Sequence, residues 1–112
     1  MKANELRIEN WVNHDGRLIS IELKHFQDIL LYPNEQRKYA PIPLTEEWLL
    51  KFGFKKENNF TWGNLEMELM QREDGFWIWL GADLYLKHVH QLQNLYHALT
   101  RKELTIKQND EK

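Results

Sequence analysis

Apolar and polar residues alternate in two stretches of the chain and recur with a helical period in two others, a pattern that predicts an α+β fold. Residues 5–23 read as a β-hairpin. Ile8 and Val12 alternate with Glu9 and Trp11, and Asp15-Gly16 supplies a two-residue turn whose positions both need φ > 0. Ile19, Ile21 and Leu23 line one side of the returning strand. Pairing His14 with Arg17 sets Val12 opposite Ile19 and Ile8 opposite Leu23, which leaves one face apolar. In residues 24–43, Phe26, Ile29, Leu30 and Leu31 fit either a strand or a short helix. Pro33-Asn34 marks a turn, and Tyr39 to Pro43 reads as extended because residues before proline avoid the α region.

A short helix follows. Thr45 caps it, Glu46 and Glu47 favour its positive end, and Leu44 and Leu49 are placed to staple it. Gly53 stops it, with Phe54 folding back on Leu49. Residues 55–87 form a second β unit. Its turn signals are Asn58-Asn59, Gly63-Asn64 and Asp74-Gly75. Leu65 to Leu69 alternates strictly, Phe76 to Leu80 returns, Gly81-Ala82-Asp83 breaks the run, and Leu84-Tyr85-Leu86 adds a strand. From His88 to Thr100, Val89, Leu92, Leu95, Tyr96 and Leu99 define one face of an amphipathic helix. Leu104 and Ile106 dock locally, and residues 108–112 read as a loose tail. The predicted architecture is therefore an N-terminal antiparallel β unit, a short helix, a second antiparallel β unit and a C-terminal amphipathic helix. One domain is expected over 1–112, with a β-rich part at 4–43, an α+β part at 44–107 and a seam at Pro41-Ile42-Pro43.

Composition narrows the function classes. With no cysteine, the chain has no disulfide framework, thiolate zinc site or cysteine nucleophile. The opening Met1-Lys2-Ala3-Asn4-Glu5 has no apolar secretion core, and no stretch approaches the roughly 20 apolar residues of a membrane span, so a cytoplasmic protein is expected. Net charge is -2, and the basic residues cluster only as the doublets Arg37-Lys38, Lys55-Lys56 and Arg101-Lys102, which favours a protein partner over nucleic acid. Five Trp, five Phe and four Tyr are many for this length.

Those aromatics carry the main candidate surface. If Phe76, Ile78 and Leu80 face the core with Leu65, Met67 and Leu69, then Trp77 and Trp79 share the opposite face with Glu66, Glu68 and Met70. Either another layer covers that pair of indoles or it anchors a partner. A second candidate surface is the polar side of the last helix, where His90, Gln93, Asn94 and His97 gather. The histidines themselves promise no metal site. On a helix His88 and His90 point about 160° apart, and His90 and His97 lie about 10.5 Å apart; only an extended 87–90 would aim His88 and His90 the same way. Glu66 and Glu68, about 6.6 Å apart on a strand, have a spacing that acid–base chemistry can use, but alternation with Leu and Met marks a half-solvated strand. Ser20, the only serine, sits mid-strand, and the five glycines stand one to a turn. No catalytic residue, metal site or cofactor is expected.

Three blocks carry a resemblance. They are Asn4-Glu5-Leu6-Arg7-Ile8-Glu9-Asn10-Trp11-Val12, the run from Pro41 to Phe54, and Val89 to Thr100 followed by Glu103-Leu104. In this order they resemble an uncharacterised group of short proteins from gut Bacteroidales genomes, often in prophage or mobile-element neighbourhoods. Members of that group often carry glycine where this chain has Glu9, and again near Arg101. The resemblance implies an accessory protein of phage or mobile-element origin and transfers no catalytic or ligand residue. The opening block also resembles the first strands of small SH3-like barrels, an analogy of fold alone.

Overall fold

The computed structural model describes Met1 and residues 5–64, 66–72, 77–79 and 84–106. The expected turn at Asp74-Gly75, residues Leu65, Phe76 and Leu80, the break at 81–83 and the tail at 108–112 lie outside these described residues. The architecture is α+β, with two antiparallel sheets and three α-helices among the described residues.

Strands β1 (Trp11–His14) and β2 (Arg17–Ser20) pair in the expected register, Val12 opposite Ile19 and His14 opposite Arg17. Asp15 and Gly16 both take positive φ in the connecting turn, at 54° and 91°. The ladder does not extend to Ile8 and Leu23. Glu9 N–H donates to the Ile21 carbonyl, while Ile21 N–H donates to the Asn10 carbonyl, so two residues face one and the strand bulges. Glu9 takes φ 78° to make this bend, and the chain before it turns away. Ile8 is therefore exposed, and Leu23 begins a helix instead of pairing.

That helix, α1 (Leu23–Leu31), resolves the strand-or-helix alternative for this segment. Phe26 and Ile29 turn inward with Ile19, Val12 and Ile21 to make a small N-terminal core, joined by Leu6 and Tyr39. A 3-10 helix, Pro33–Lys38, leads to β3 (Tyr39–Ala40), which pairs with β1 and completes a three-stranded sheet in the order β2-β1-β3.

The short helix α2 (Glu46–Lys51) forms as its local code demands. Thr45 Oγ1 accepts from Trp48 N–H, Gly53 takes φ 91°, and Phe54 N–H donates back to the Leu49 carbonyl at 2.9 Å. A five-stranded meander follows: β4 (Lys55–Lys56), β5 (Thr61–Gly63), β6 (Glu68–Gln71), β7 (Trp77–Trp79) and β8 (Leu84–Leu86). The chain then enters α3 (Val89–Thr100). At its start, Leu44 N–H bonds the Lys87 carbonyl and Val89 N–H the Ile42 carbonyl, so the extended proline segment closes on the chain entering α3. The main core lies between one face of this sheet and helices α2 and α3, built around Leu49, Phe52, Trp62, Leu69, Trp77 and Leu92.

Among the described residues, three non-glycine residues sit at positive φ, and two of them, Glu9 and Arg101 (62°), lie outside the hairpin turn. Arg101 terminates α3 in the left-handed conformation, its N–H returning to the His97 carbonyl. A Cβ is strained there, so Glu9→Gly and Arg101→Gly are each expected to stabilise the protein by about 0.5–1 kcal/mol, the relief of strain less the extra chain entropy of glycine. Urea unfolding of the two variants checks this; an unchanged or lowered midpoint would show that neither position is strained.

Candidate functional site

The structure inverts the expected faces of the tryptophan strand. Leu69 pairs with Trp79, Met70 with Ile78 and Gln71 with Trp77. A two-residue turn at Asp74-Gly75 would have paired Met70 with Trp79; residues 72–76, an odd-numbered connection, shift the register by one and exchange the faces. Trp77 is only 1% exposed. Its Nε1 donates to the Leu44 carbonyl at 3.0 Å, and its ring meets Trp62 edge-on at 6.4 Å. Trp79 is half-buried against the main core. Met70 and Ile78 occupy the other face, with Glu68. The proposed Trp77, Trp79, Met70, Glu66 and Glu68 surface is thus not one surface.

Glu66 and Glu68 also part company. Glu66 lies in the bend before β6, where its Oε1 accepts from the Tyr96 hydroxyl at 2.8 Å and its Oε2 meets Lys102 at 3.2 Å. Burial, then the hydrogen bond to Glu66, raises the Tyr96 pKa. Glu68 shares a hydrogen bond with Glu57, which raises the Glu57 pKa. The cleft beside Glu66, Tyr96 and Glu103 encloses about 190 Å³, below the roughly 300 Å³ of ordinary ligand pockets.

The polar side of α3 is spent inside the molecule. Gln93 is 1% exposed; its Oε1 accepts from Trp11 N–H at 2.8 Å and its Nε2 donates to the Glu9 carbonyl at 2.9 Å. Asn94 Oδ1 accepts from Arg7 Nε at 2.8 Å and from Asn10 Nδ2 at 2.9 Å. Arg7 continues to the Gln93 carbonyl and to Glu103. His90 is buried as well, and His97 is half-buried. Gln93 and Asn94, with Arg7, Asn10 and the Glu9 and Trp11 main chain, form a polar seam that fastens the N-terminal sheet to α3; with two of its four residues spent there and His90 buried, the expectation of a recognition surface at His90, Gln93, Asn94 and His97 is corrected. Such amides are retained in an interior because hydrogen-bond partners meet them there.

His88 caps α3 in extended conformation, which is the geometry that brings it to His90; the rings stack at 5.8 Å and 14°. Burial lowers both pKa values from 6.5, followed by Lys87 for His88 and by His88 for His90, with Glu5 opposing. A depressed folded-state pKa means that the unfolded chain binds more protons as the pH drops. The urea midpoint is therefore expected to be level from pH 6.5 up to the range where tyrosine ionises, and to fall below pH 6.5 as the pH passes through the lowered values. His90→Gln should flatten that fall; an equally steep fall in the variant would place the titration elsewhere.

The outer side of α1 is exposed, while other exposed apolar residues, such as Phe60 and Leu50, lie elsewhere in the chain. Leu23, Leu30 and Leu31, with Tyr32 at its C-terminus, stand 59% to 69% exposed. On the helix Leu23 and Leu30 lie about 20° apart and Leu31 about 80° from Leu23, so they form one stripe, with Gln27 inside it and Lys24 at its border. The basic doublets lie on separate elements, and several of their side chains have internal partners. Lys38 pairs with Glu35 at 3.2 Å, Lys56 lies over the Trp62 ring and Lys102 meets Glu66.

One grouping had no sequence signal. His14 at the end of β1, Asp28 on α1 and Glu35 in the 3-10 helix each bring one ligating atom within 4.8 Å of the others. The Tyr39 hydroxyl donates to Asp28 Oδ2 at 3.3 Å, and its ring lies 4.4 Å from that of His14. Burial first, then Asp28 and Glu35, pushes the Tyr39 pKa up to about 12, which keeps the phenol a donor. The three residues come from the segment whose fold the pattern leaves open and from the far strand of the hairpin, so no spacing announces them. Among the described residues, no helix is long and apolar enough to cross a membrane. Comparison with protein-family models, with curated proteins and with solved structures found no match.

Proposed function

We propose that this chain is a non-enzymatic protein-interaction module, an accessory protein of phage or mobile-element origin acting in the cytoplasm, and that the outer stripe of α1 is its contact. The observation that carries the reading is that Leu23, Leu30, Leu31 and Tyr32 are more than half exposed on one helix and its end, whereas the tryptophans of β7 are drawn into or against the core. Contiguous apolar exposure of this kind is the usual mark of a protein contact. The partner is a protein offering an apolar groove that receives one helix face. The origin rests on the resemblance of the three sequence blocks; Glu9 and Arg101, at or beside the positions where that group carries glycine, take positive φ.

The test is capture from the source cells with the wild-type chain and with Leu30→Glu/Leu31→Glu. A partner retained by the wild type and by Lys55→Glu/Lys56→Glu, but lost from the leucine variant, supports the reading. Binding that ignores the leucine substitutions refutes it. Binding that instead weakens steeply with salt and follows the basic doublets establishes the rival, a nucleic-acid accessory protein.

A further inference from the structure

We propose that His14, Asp28 and Glu35 form a binding site for one divalent transition-metal ion, best matched by zinc. Donors on a zinc ion at about 2.0–2.2 Å sit roughly 3–4 Å from one another. The three ligating atoms already lie within 4.8 Å, so small side-chain rotations close the site. Two carboxylates neutralise a dication, and the imidazole selects zinc, cobalt or nickel over magnesium and calcium.

A second observation points the same way. His14 Nε2 is shielded from solvent and has no hydrogen-bond partner. A buried polar nitrogen is ordinarily satisfied, and a metal ion satisfies it here. The surroundings are those of a supported site. The Tyr39 hydroxyl holds Asp28 through Oδ2, and Lys38 holds Glu35 through Oε1, in each case engaging one oxygen of a carboxylate that has two. The Tyr39 ring lies against His14 and fixes its plane. Partners of this kind orient metal ligands and raise affinity.

The ligands come from β1, α1 and the 3-10 helix, so the ion ties together three elements around the small N-terminal core. Asp28 projects about 140° around α1 from Leu23, away from the apolar stripe, so the site stands or falls independently of the proposed contact.

The test uses the full chain, stripped of metal and titrated calorimetrically with zinc chloride. One saturable equivalent is expected, with Tm raised by about 10 °C at a hundredfold excess over Kd, and no shift with magnesium or calcium. Asp28→Asn and Glu35→Gln should each weaken binding by roughly tenfold or more, and His14→Gln should abolish it. Circular dichroism of each metal-free variant separates lost binding from lost folding, and Glu35→Gln, on a half-exposed side chain, leaves the core untouched. His88→Gln/His90→Gln should bind as the wild type does. Absence of a saturable equivalent overturns the proposal. So does zinc binding that survives Asp28→Asn and Glu35→Gln but disappears with the His88/His90 pair.

Discussion

Trp77→Ala is expected to lower the free energy of unfolding by about 3–5 kcal/mol, the cost of removing a large aromatic side chain from a packed interior. Trp77 is held on three sides: Trp62 meets it edge-on, Leu86 lies opposite it on β8, and its indole N–H satisfies the Leu44 carbonyl. Trp77→Phe separates the contributions, because it keeps most of the apolar contact and removes the donor. A loss of about 1–3 kcal/mol is expected from the phenylalanine variant, since the Leu44 carbonyl is left buried without that partner. An indole serving as an exposed anchor would cost no more than about 0.5 kcal/mol on replacement. Urea denaturation therefore decides directly between interior and surface. A small loss for Trp77→Ala would restore the register in which both tryptophans face outward.

Gln93→Met is the second substitution with a large expected effect, about 2–4 kcal/mol. Methionine keeps the volume and the helical preference of glutamine, so packing is nearly conserved and the loss reports the hydrogen bonds. The amide serves two main-chain groups at once, the Trp11 N–H and the Glu9 carbonyl. Each, left buried and unpaired, costs about 1–3 kcal/mol. The strained Glu9 is part of the same joint: its left-handed turn presents the carbonyl that Gln93 reaches. A loss under about 0.5 kcal/mol would mean that water replaces the amide and that the seam is not a determinant of stability.

The sequence was most informative where the code is local. The Asp15-Gly16 turn fixes its hairpin register within four residues, and Thr45, Leu44, Gly53 and Phe54 write both ends of α2 within eleven. It was least informative where the outcome depends on a count or on distant pairing. One residue of loop parity between β6 and β7 decides which face each tryptophan occupies, and two-sided apolarity in Phe76 to Leu80 leaves that parity unmarked. Gln93 and Asn94 look like solvated helix residues because their partners lie more than 80 residues away. The exposed leucines of α1 were visible as apolar residues, but their outward direction follows from the bulge at Glu9, which ends the hairpin early. The His14, Asp28 and Glu35 grouping needs three elements to be folded first, so its residues look unrelated in the chain.

The seam between α3 and the N-terminal sheet also sets an order on synthesis. Arg7, Asn10 and Trp11 leave the ribosome more than 80 residues before the amides of α3 that receive them. Until then the hairpin and α1 can pack their own small core but cannot dock, and their polar edge stays in water. The nascent chain thus carries a provisional N-terminal sheet, and the arrival of Gln93 and Asn94 joins it to the rest of the fold.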